Sequence, residues 1–146
     1  MPSGRQVGKV AQILANAKKP VMIVQSQALQ QYPTPASNLL KAIEALGIPC
    51  FLGGMGRGLL GRDHRLQVRQ NRRGALKEAD VVILAGALVD FRLDYGRVFN
   101  KKSKIIAINR SDFNLQQNTD AFWTPTVAAK SDPATFLVQL AGKRYS

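Results

Sequence analysis

The glycine-rich segment of this chain has the clearest spacing for ligand chemistry. Residues 56–61 read Gly-Arg-Gly-Leu-Leu-Gly, the G-x-G-x-x-G spacing that lets backbone N–H groups approach a pyrophosphate. The same glycines would also suit a turn that needs positive φ at several positions. A dinucleotide fingerprint runs directly into an amphipathic helix, whereas residues 62–65 read Arg-Asp-His-Arg and start no apolar stripe. The pattern therefore favours a nucleotide contact of another geometry over the standard fingerprint.

A second candidate follows the most apolar segment of the chain, residues 81–85. Gly86 opens a run in which Asp90 and Arg92 stand two residues apart. A carboxylate can accept a hydrogen bond from a ribose hydroxyl, and a guanidinium can bind a phosphate. The alternative is an exposed Asp–Arg pair, which contributes little to stability. Because Asp90 and Arg92 follow a predicted strand, a ligand contact is as well supported as an exposed ion pair.

Residue types that usually perform catalysis are sparse. His64 is the only histidine, and no nucleophile is spaced to form a catalytic set with it. Ser26 lies between two glutamines and not in a G-x-S-x-G elbow. Cys50 is the only cysteine, so the chain has no internal disulfide and no zinc set of cysteine and histidine. The residues therefore show no catalytic set, and no metal site is expected in this chain.

The charge balance is unusual, with 21 Lys and Arg against 9 Asp and Glu, a formal net charge of +12. Such an excess attracts polyanions, including nucleic acids and phosphorylated cofactors. The arginines concentrate between residues 57 and 73, where no aromatic side chain is available to stack on a base. A solvated basic face or a contact with another domain is favoured, and a basic nucleic-acid-binding module is the alternative.

Apolar strands and amphipathic helices alternate along the chain. The spacing of apolar residues predicts helices over about 5–18, from a Ser37 cap to Gly47, around 73–79, and from Asp132-Pro133 onward. It predicts strands at 21–24, 50–52, 81–85, 104–108 and 126–129. Continuously apolar strands separated by helices indicate an α/β fold with a mostly parallel sheet of about six strands and helices on both faces. We expect one domain over residues 1–146.

Ligands of such sheets bind at the carboxyl ends of the strands. The loops expected to matter are therefore 25–36, 53–62, 86–97 and 109–115. The apolar runs are far shorter than the roughly 20 residues of a membrane helix, and residues 1–10 lack the apolar core of a signal peptide. Together with the lone cysteine, this predicts an intracellular, cytoplasm-facing segment without membrane contact.

Four segments in order carry a family resemblance. They are AKKPVMIV at 17–24, ALGIPCFLGGMGRGLL at 45–60, EADVVILAGALVDFRLDYG at 78–96 and SKIIAINRS at 103–111. This series resembles the central domain of thiamine diphosphate enzymes, in particular the acetolactate-synthase-like and 2-hydroxyacyl-CoA lyase type. The resemblance covers almost the whole chain.

The resemblance implies a Rossmann-like three-layer fold that lies between two coenzyme-binding domains of the same parent chain. In that family the coenzyme domains bind thiamine diphosphate and magnesium through a Gly-Asp-Gly motif, which this sequence does not contain. The chain is then a non-catalytic part of a larger enzyme that makes or breaks carbon–carbon bonds. That parent is expected to be a homo-oligomer.

The resemblance also implies a set of cofactor-binding residues. They are Gly54, Met55, Gly56, Gly86, Asp90, Arg92 and Asn109. Two positions depart from the acetolactate synthase pattern, since residues 25–27 are Gln-Ser-Gln in place of glycines and Asn109 replaces an aspartate. These departures favour an ADP or CoA nucleotide moiety over FAD. They also leave open a scaffold domain that binds no ligand.

Overall fold

A computed structural model describes residues 4–24, 36–52, 72–86, 102–109 and 126–145 of the chain. The helices within these ranges are α1 (Gly4–Ala15), α2 (Ala36–Leu46), α3 (Arg72–Glu78) and α4 (Pro133–Tyr145). The strands are β1 (Pro20–Val24), β2 (Cys50–Leu52), β3 (Val81–Ala85), β4 (Lys104–Asn109) and β5 (Val127–Lys130). Each strand coincides with an apolar segment that the sequence had assigned to a strand.

The described strands form one sheet in the order β2-β1-β3-β4-β5, and every neighbouring pair is parallel. β3 is apolar at all five positions and buried at all of them, as expected of a central strand covered on both faces. The predicted α/β class with a parallel sheet is confirmed. The described ranges contain five strands, where about six were predicted, and they match the five segments that the sequence located.

Three helices cover the first face of the sheet. Val10 and Leu14 of α1, Ile43 of α2 and Phe136 of α4 pack into one cluster with the side chains of this face. α4 lies between α1 and α2, and its Phe136 is fully buried. Burying an aromatic ring of this size contributes a large part of the stability of such a core.

The second face carries the alternate side chains of the strands. Leu76 of α3 and Ala79, the first residue after this helix, pack against the second face of the sheet. Their partners there are Val82, Leu84 and Ile105. With α3 on this face and the other three helices on the first, the prediction of helices on both faces is confirmed.

The ends of the described helices follow local chemistry. α2 ends before Gly47, which has φ +66° and donates its N–H to the carbonyl of Ile43 at 3.1 Å, a left-handed cap that glycine tolerates best. Asp132 caps α4 by accepting hydrogen bonds from the N–H of Thr135 at 2.9 Å and from its hydroxyl at 2.7 Å. Both ends confirm the sequence-based predictions.

Two predicted boundaries were wrong by a few residues. α2 begins at Ala36, so Ser37 lies inside its first turn and is not the cap; a first turn accommodates serine because its N–H groups have no intrahelical acceptors. α1 ends at Ala15 and not near residue 18. The N–H groups of Asn16 and Ala17 donate to the carbonyls of Ile13 and Leu14, three residues earlier. The helix therefore ends in a turn of the tighter 3₁₀ type.

Candidate functional site

The order of the strands defines a switch point at the carboxyl edge of the sheet. The chain moves from β1 outward to β2 and then returns to place β3 on the other side of β1. Val24 and Ala85 are register partners at the carboxyl ends of these two strands. Ligands of open α/β sheets bind in the crevice beside such a point. This edge is therefore the candidate site.

Gly86 lies at this edge, directly after β3. It is buried, has φ +73°, and donates its N–H to the carbonyl of Ile108 at 2.9 Å. A side chain is strained at this φ, whereas glycine adopts it readily and leaves room for a ligand close to the backbone. Gly86 therefore ends β3 directly beside the end of β4.

Asn109 ends β4 one strand away from Gly86. Only 2 % of its surface is exposed, which makes it one of two buried polar residues among those that the structure describes, the other being Ser131. The carbonyl of Asn109 accepts a hydrogen bond from the N–H of Ser131 at 2.9 Å, which fixes the start of the turn after β5. An amide at this position can offer both a donor and an acceptor to a ligand.

The structure brings two of the predicted site residues together. Gly86 and Asn109 lie at the ends of adjacent strands, although 23 positions separate them in the sequence. The other predicted residues fall outside the described part of the chain. They are Gly54, Met55, Gly56, Asp90 and Arg92. The ligand role of all seven stays a prediction.

Sequence reasoning missed Lys130 at the same edge. Lys130 is the last residue of β5 and the register partner of Asn109. β5 alternates buried and exposed positions, with Lys130 exposed. The sequence Val-Ala-Ala-Lys gives little signal, because four residues are too few to assign a face of the sheet without the register.

The opposite, amino edge of the sheet has its own polar contacts. The carboxylate of Asp80 accepts hydrogen bonds from the backbone N–H groups of Lys18 at 2.6 Å and Lys19 at 2.9 Å. Partial burial acts to raise the pKa of Asp80, but these and other backbone hydrogen bonds outweigh it and hold the pKa below its usual value. The Ser103 hydroxyl also donates to the carbonyl of Ala79 there.

A groove of about 420 Å³ opens beside this amino edge. It is lined by Lys18, Lys19, Pro20, Val21, Gly47, Pro49, Phe51, Ala75 and Glu78. The Lys19 ammonium lies 4.0 Å from the Glu78 carboxylate at the rim, and both side chains are mostly exposed. Three of the sequence motifs, those around residues 18–21, 47–50 and 78–80, thus meet far from the switch point.

Cys50 lies in the hydrophobic core of the domain. Its thiol is buried in the cluster of the first face and donates to the carbonyl of Ile48 at 3.2 Å. Burial raises the pKa of this thiol to about 12. A thiol that stays protonated is a poor nucleophile and a poor metal ligand, so Cys50 acts as a small core side chain.

Two further properties concern only the described ranges. They contain no group of three or more His, Cys, Asp and Glu residues that could hold a metal ion. None of their helices combines the length and the apolar character that crossing a membrane requires.

Comparison with known proteins decides the family. Residues 7–140 match the family described as thiamine pyrophosphate enzyme, central domain. The chain belongs to this family. The resemblance read from the four sequence segments is therefore confirmed, and the match favours neither a ligand-free scaffold nor a nucleic-acid-binding module.

Several curated relatives of this central domain are similar over nearly all of the chain. It is 56 % identical to the 2-hydroxyacyl-CoA lyase 2 of Danio rerio over 136 residues, which cover 93 % of this chain and 22 % of the relative. It is 51 % identical to the human protein of the same name over 138 residues, 94 % of this chain and 22 % of the relative. An acetolactate synthase large subunit of Mycobacterium tuberculosis is 35 % identical over 109 residues, 75 % of this chain and 20 % of the relative.

The fold of the central domain also has a solved counterpart. The structure of an enzyme from Mycobacterium smegmatis, described as thiamin diphosphate-dependent, superposes with a TM-score of 0.72. The match covers 97 % of this chain and 28 % of that one at 15 % identity, so it supports the fold alone. The chain spans about a fifth of the length of the curated relatives that it matches.

Proposed function

We propose that this central domain holds the nucleotide part of a ligand at the carboxyl edge of its sheet. The observation that supports the proposal is the pairing of Gly86 and Asn109 at the ends of adjacent strands, beside the switch point. A glycine with positive φ gives a ligand access to the backbone, and a buried amide can hydrogen-bond a ribose or a base. The domain binds and positions a ligand and carries out no bond chemistry.

The ligand is an ADP or CoA nucleotide moiety rather than FAD. The sequence Gln25-Ser26-Gln27 follows β1 directly, and side chains of this size hinder a close approach to the backbone where glycines would permit it. Gly54, Met55, Gly56, Asp90 and Arg92, in the sequence segments that follow β2 and β3, complete the proposed set. The guanidinium of Arg92 would bind a phosphate, and the carboxylate of Asp90 a ribose hydroxyl.

The parent enzyme is a thiamine diphosphate-dependent lyase or carboligase of the 2-hydroxyacyl-CoA lyase or acetolactate-synthase-like type. Two neighbouring domains of the parent bind thiamine diphosphate and magnesium, in keeping with the absence of Gly-Asp-Gly from this sequence. Thiamine diphosphate supplies the chemistry that makes or breaks a carbon–carbon bond next to a carbonyl. This chain contributes a framework and a nucleotide contact.

The same proposal includes the assembly and the compartment of the parent. We place the parent inside the cell, because a single buried thiol such as Cys50 suits a reducing compartment. Closed homo-oligomers are the commonest assemblies of intracellular enzymes, and the parent is proposed to form one.

Thermal denaturation with added ligands tests the nucleotide proposal. The purified chain is heated alone and with ADP, CoA, FAD, or thiamine diphosphate plus magnesium. A ligand present at 100 times its Kd stabilises the folded state by about 2.7 kcal/mol, which raises Tm by several degrees. We expect a shift with ADP or CoA and none with thiamine diphosphate.

Two matched glycine variants show where such a ligand binds. Gly86→Ala and Gly47→Ala both place a side chain at positive φ, at +73° and +66° respectively, but at opposite edges of the sheet. Gly86→Ala should abolish the ADP shift and Gly47→Ala should keep it. If no nucleotide raises the Tm of the unaltered chain, the domain is a ligand-free scaffold and the proposal is wrong. If Gly86→Ala keeps the Tm shift, the nucleotide does not bind beside Gly86.

A further inference from the structure

The groove at the amino edge of the sheet has an apolar floor. Val21 of β1 and Phe51 of β2 are buried members of the second-face cluster, and Ala75 of α3 packs against the same cluster. Pro20 and Pro49 lie beside them along the groove. Its volume of about 420 Å³ falls in the range of sites that hold small organic molecules, roughly 300–1,000 Å³. The groove can therefore take the carbon skeleton of a small ligand.

The backbone around this floor offers a ligand few hydrogen-bond partners. Proline has no N–H, so Pro20 and Pro49 donate nothing. The N–H groups of Lys18 and Lys19 both donate to the carboxylate of Asp80. The carbonyl of Lys19 in turn accepts a hydrogen bond from the N–H of Asp80 at 3.2 Å. An extended peptide, which is held by main-chain hydrogen bonds, fits this groove less well than a molecule whose polar group lies at one end.

The polar end of such a ligand would meet the charged side chains at the rim. Lys18 and Lys19 line the groove together with one acidic residue, Glu78, so cations outnumber anions there. The Lys19 ammonium lies 4.0 Å from the Glu78 carboxylate, and both side chains are mostly exposed. An ion pair of this kind contributes little to stability. A ligand carboxylate can therefore replace Glu78 as the partner of Lys19 without the loss of a strong contact.

We infer that this groove binds a small carboxylate with an apolar body. The apolar body packs on the floor between Pro20, Pro49 and Phe51, and the carboxylate contacts the ammonium of Lys19. The formal net charge of +12 favours the approach of an anion over that of a cation. The residues of the proposed nucleotide site do not line the groove, so this inference stands apart from the proposed function.

Titration of the purified chain with phenylbutyrate, and with the uncharged phenylbutanol, tests the inference. Binding is followed by two-dimensional NMR of the backbone amides. We expect the signals of Val21, Phe51 and Ala75 to shift with both molecules, because both carry the same apolar body. Phenylbutyrate should bind more tightly, because only its carboxylate can contact Lys19.

Three variants separate the charged rim from the apolar floor. Lys19→Ala should weaken phenylbutyrate binding about threefold, as expected for one exposed charge contact, and leave phenylbutanol binding unchanged. Glu78→Gln should strengthen phenylbutyrate binding by about the same factor, because it removes the carboxylate that competes for Lys19. Ala75→Leu adds bulk beside the floor and should weaken both molecules about tenfold. Lys104→Ala is the control, since it removes an exposed lysine outside the groove and should change neither affinity.

The contrary outcomes are equally definite. If phenylbutyrate shifts none of the groove signals in the unaltered chain, the groove is not a carboxylate site, and the nucleotide proposal is unaffected. If Lys19→Ala weakens both molecules equally, or Glu78→Gln weakens phenylbutyrate, the rim does not recognise the carboxylate. Unchanged affinities in Ala75→Leu would show that the apolar body binds elsewhere. Circular dichroism and Tm establish that each variant is folded.

Discussion

The Oδ2 atom of Asp80 lies 2.6 Å from the backbone nitrogen of Lys18, so the residue that precedes β3 binds the chain that enters β1. Asp80 also donates its own N–H to the carbonyl of Lys19 at 3.2 Å. Its carbonyl accepts a hydrogen bond from the N–H of Lys104 at 2.9 Å. One residue therefore connects the entrances of the three central strands β1, β3 and β4. Asp80, in the sequence segment that begins Glu-Ala-Asp at residue 78, therefore has a structural role.

Replacing Asp80 should destabilise the chain in a pH-dependent manner. Asp80→Ala removes two hydrogen bonds to a charged acceptor, which we expect to cost about 1 kcal/mol after allowance for solvent exposure. The pKa of Asp80 is lowered in the folded state, so its contribution is complete above the unfolded pKa of about 3.9 and is lost as the pH falls through the folded pKa. Urea denaturation of both proteins between pH 7 and pH 3 measures the difference.

Glu78→Ala is the control for this prediction. Glu78 carries the same charge two residues away, but its contact with Lys19 is an exposed ion pair at 4.0 Å that contributes little. A loss of stability in Glu78→Ala equal to that in Asp80→Ala would contradict the hydrogen-bonded role, as would a difference for Asp80→Ala that is no smaller at pH 3 than at pH 7.

Two glycine-to-alanine substitutions should change stability in opposite directions. Gly47 has φ +66°, so alanine there is strained and should destabilise the chain by about 1 kcal/mol, although nothing obstructs the added Cβ. Gly142 lies within α4 at ordinary φ with nothing within 4 Å of an added Cβ. Alanine at Gly142 should stabilise the chain by about 0.5–1 kcal/mol through its helix propensity. Guanidinium denaturation checks both signs, and a neutral Gly47→Ala would refute the proposed left-handed cap.

Cys50 should not react with thiol reagents while the chain is folded. Burial raises the pKa of its thiol to about 12, and the thiolate is the reactive form. Ellman's reagent at pH 8 is expected to detect almost no thiol in the native chain and one thiol per chain in 6 M guanidinium, since Cys50 is the only cysteine. Rapid labelling of the native chain would show that this part of the core opens readily.

Much of the fold could be predicted because most of its strand positions are apolar and buried. Val81 to Ala85 is buried at every position, and such a run between helices is typical of a central parallel strand. The caps at Gly47 and Asp132 were predictable because their chemistry is local. The order of the strands in the sheet could not be predicted, because it depends on contacts between segments that are distant in the sequence.

The site was less predictable than the fold. Gly86 and Asn109 could be proposed because each follows an apolar run at a carboxyl end. The position of Lys130 at this edge could not be predicted, because only the register with β4 places this residue beside Asn109. Asp80 was equally hidden, since a carboxylate that binds backbone N–H groups looks like a solvated one in the sequence.

The groups that fix the strand entrances lie at one end of the sheet, and the proposed nucleotide contacts lie at the other. A substitution at Asn109 leaves the hydrogen bonds of Asp80 in place, so the chain can change what it recognises without giving up its architecture. The two ends of the sheet can therefore change independently during evolution. Descendants of one ancestral domain can exchange one ligand for another, or lose it, while a common backbone persists.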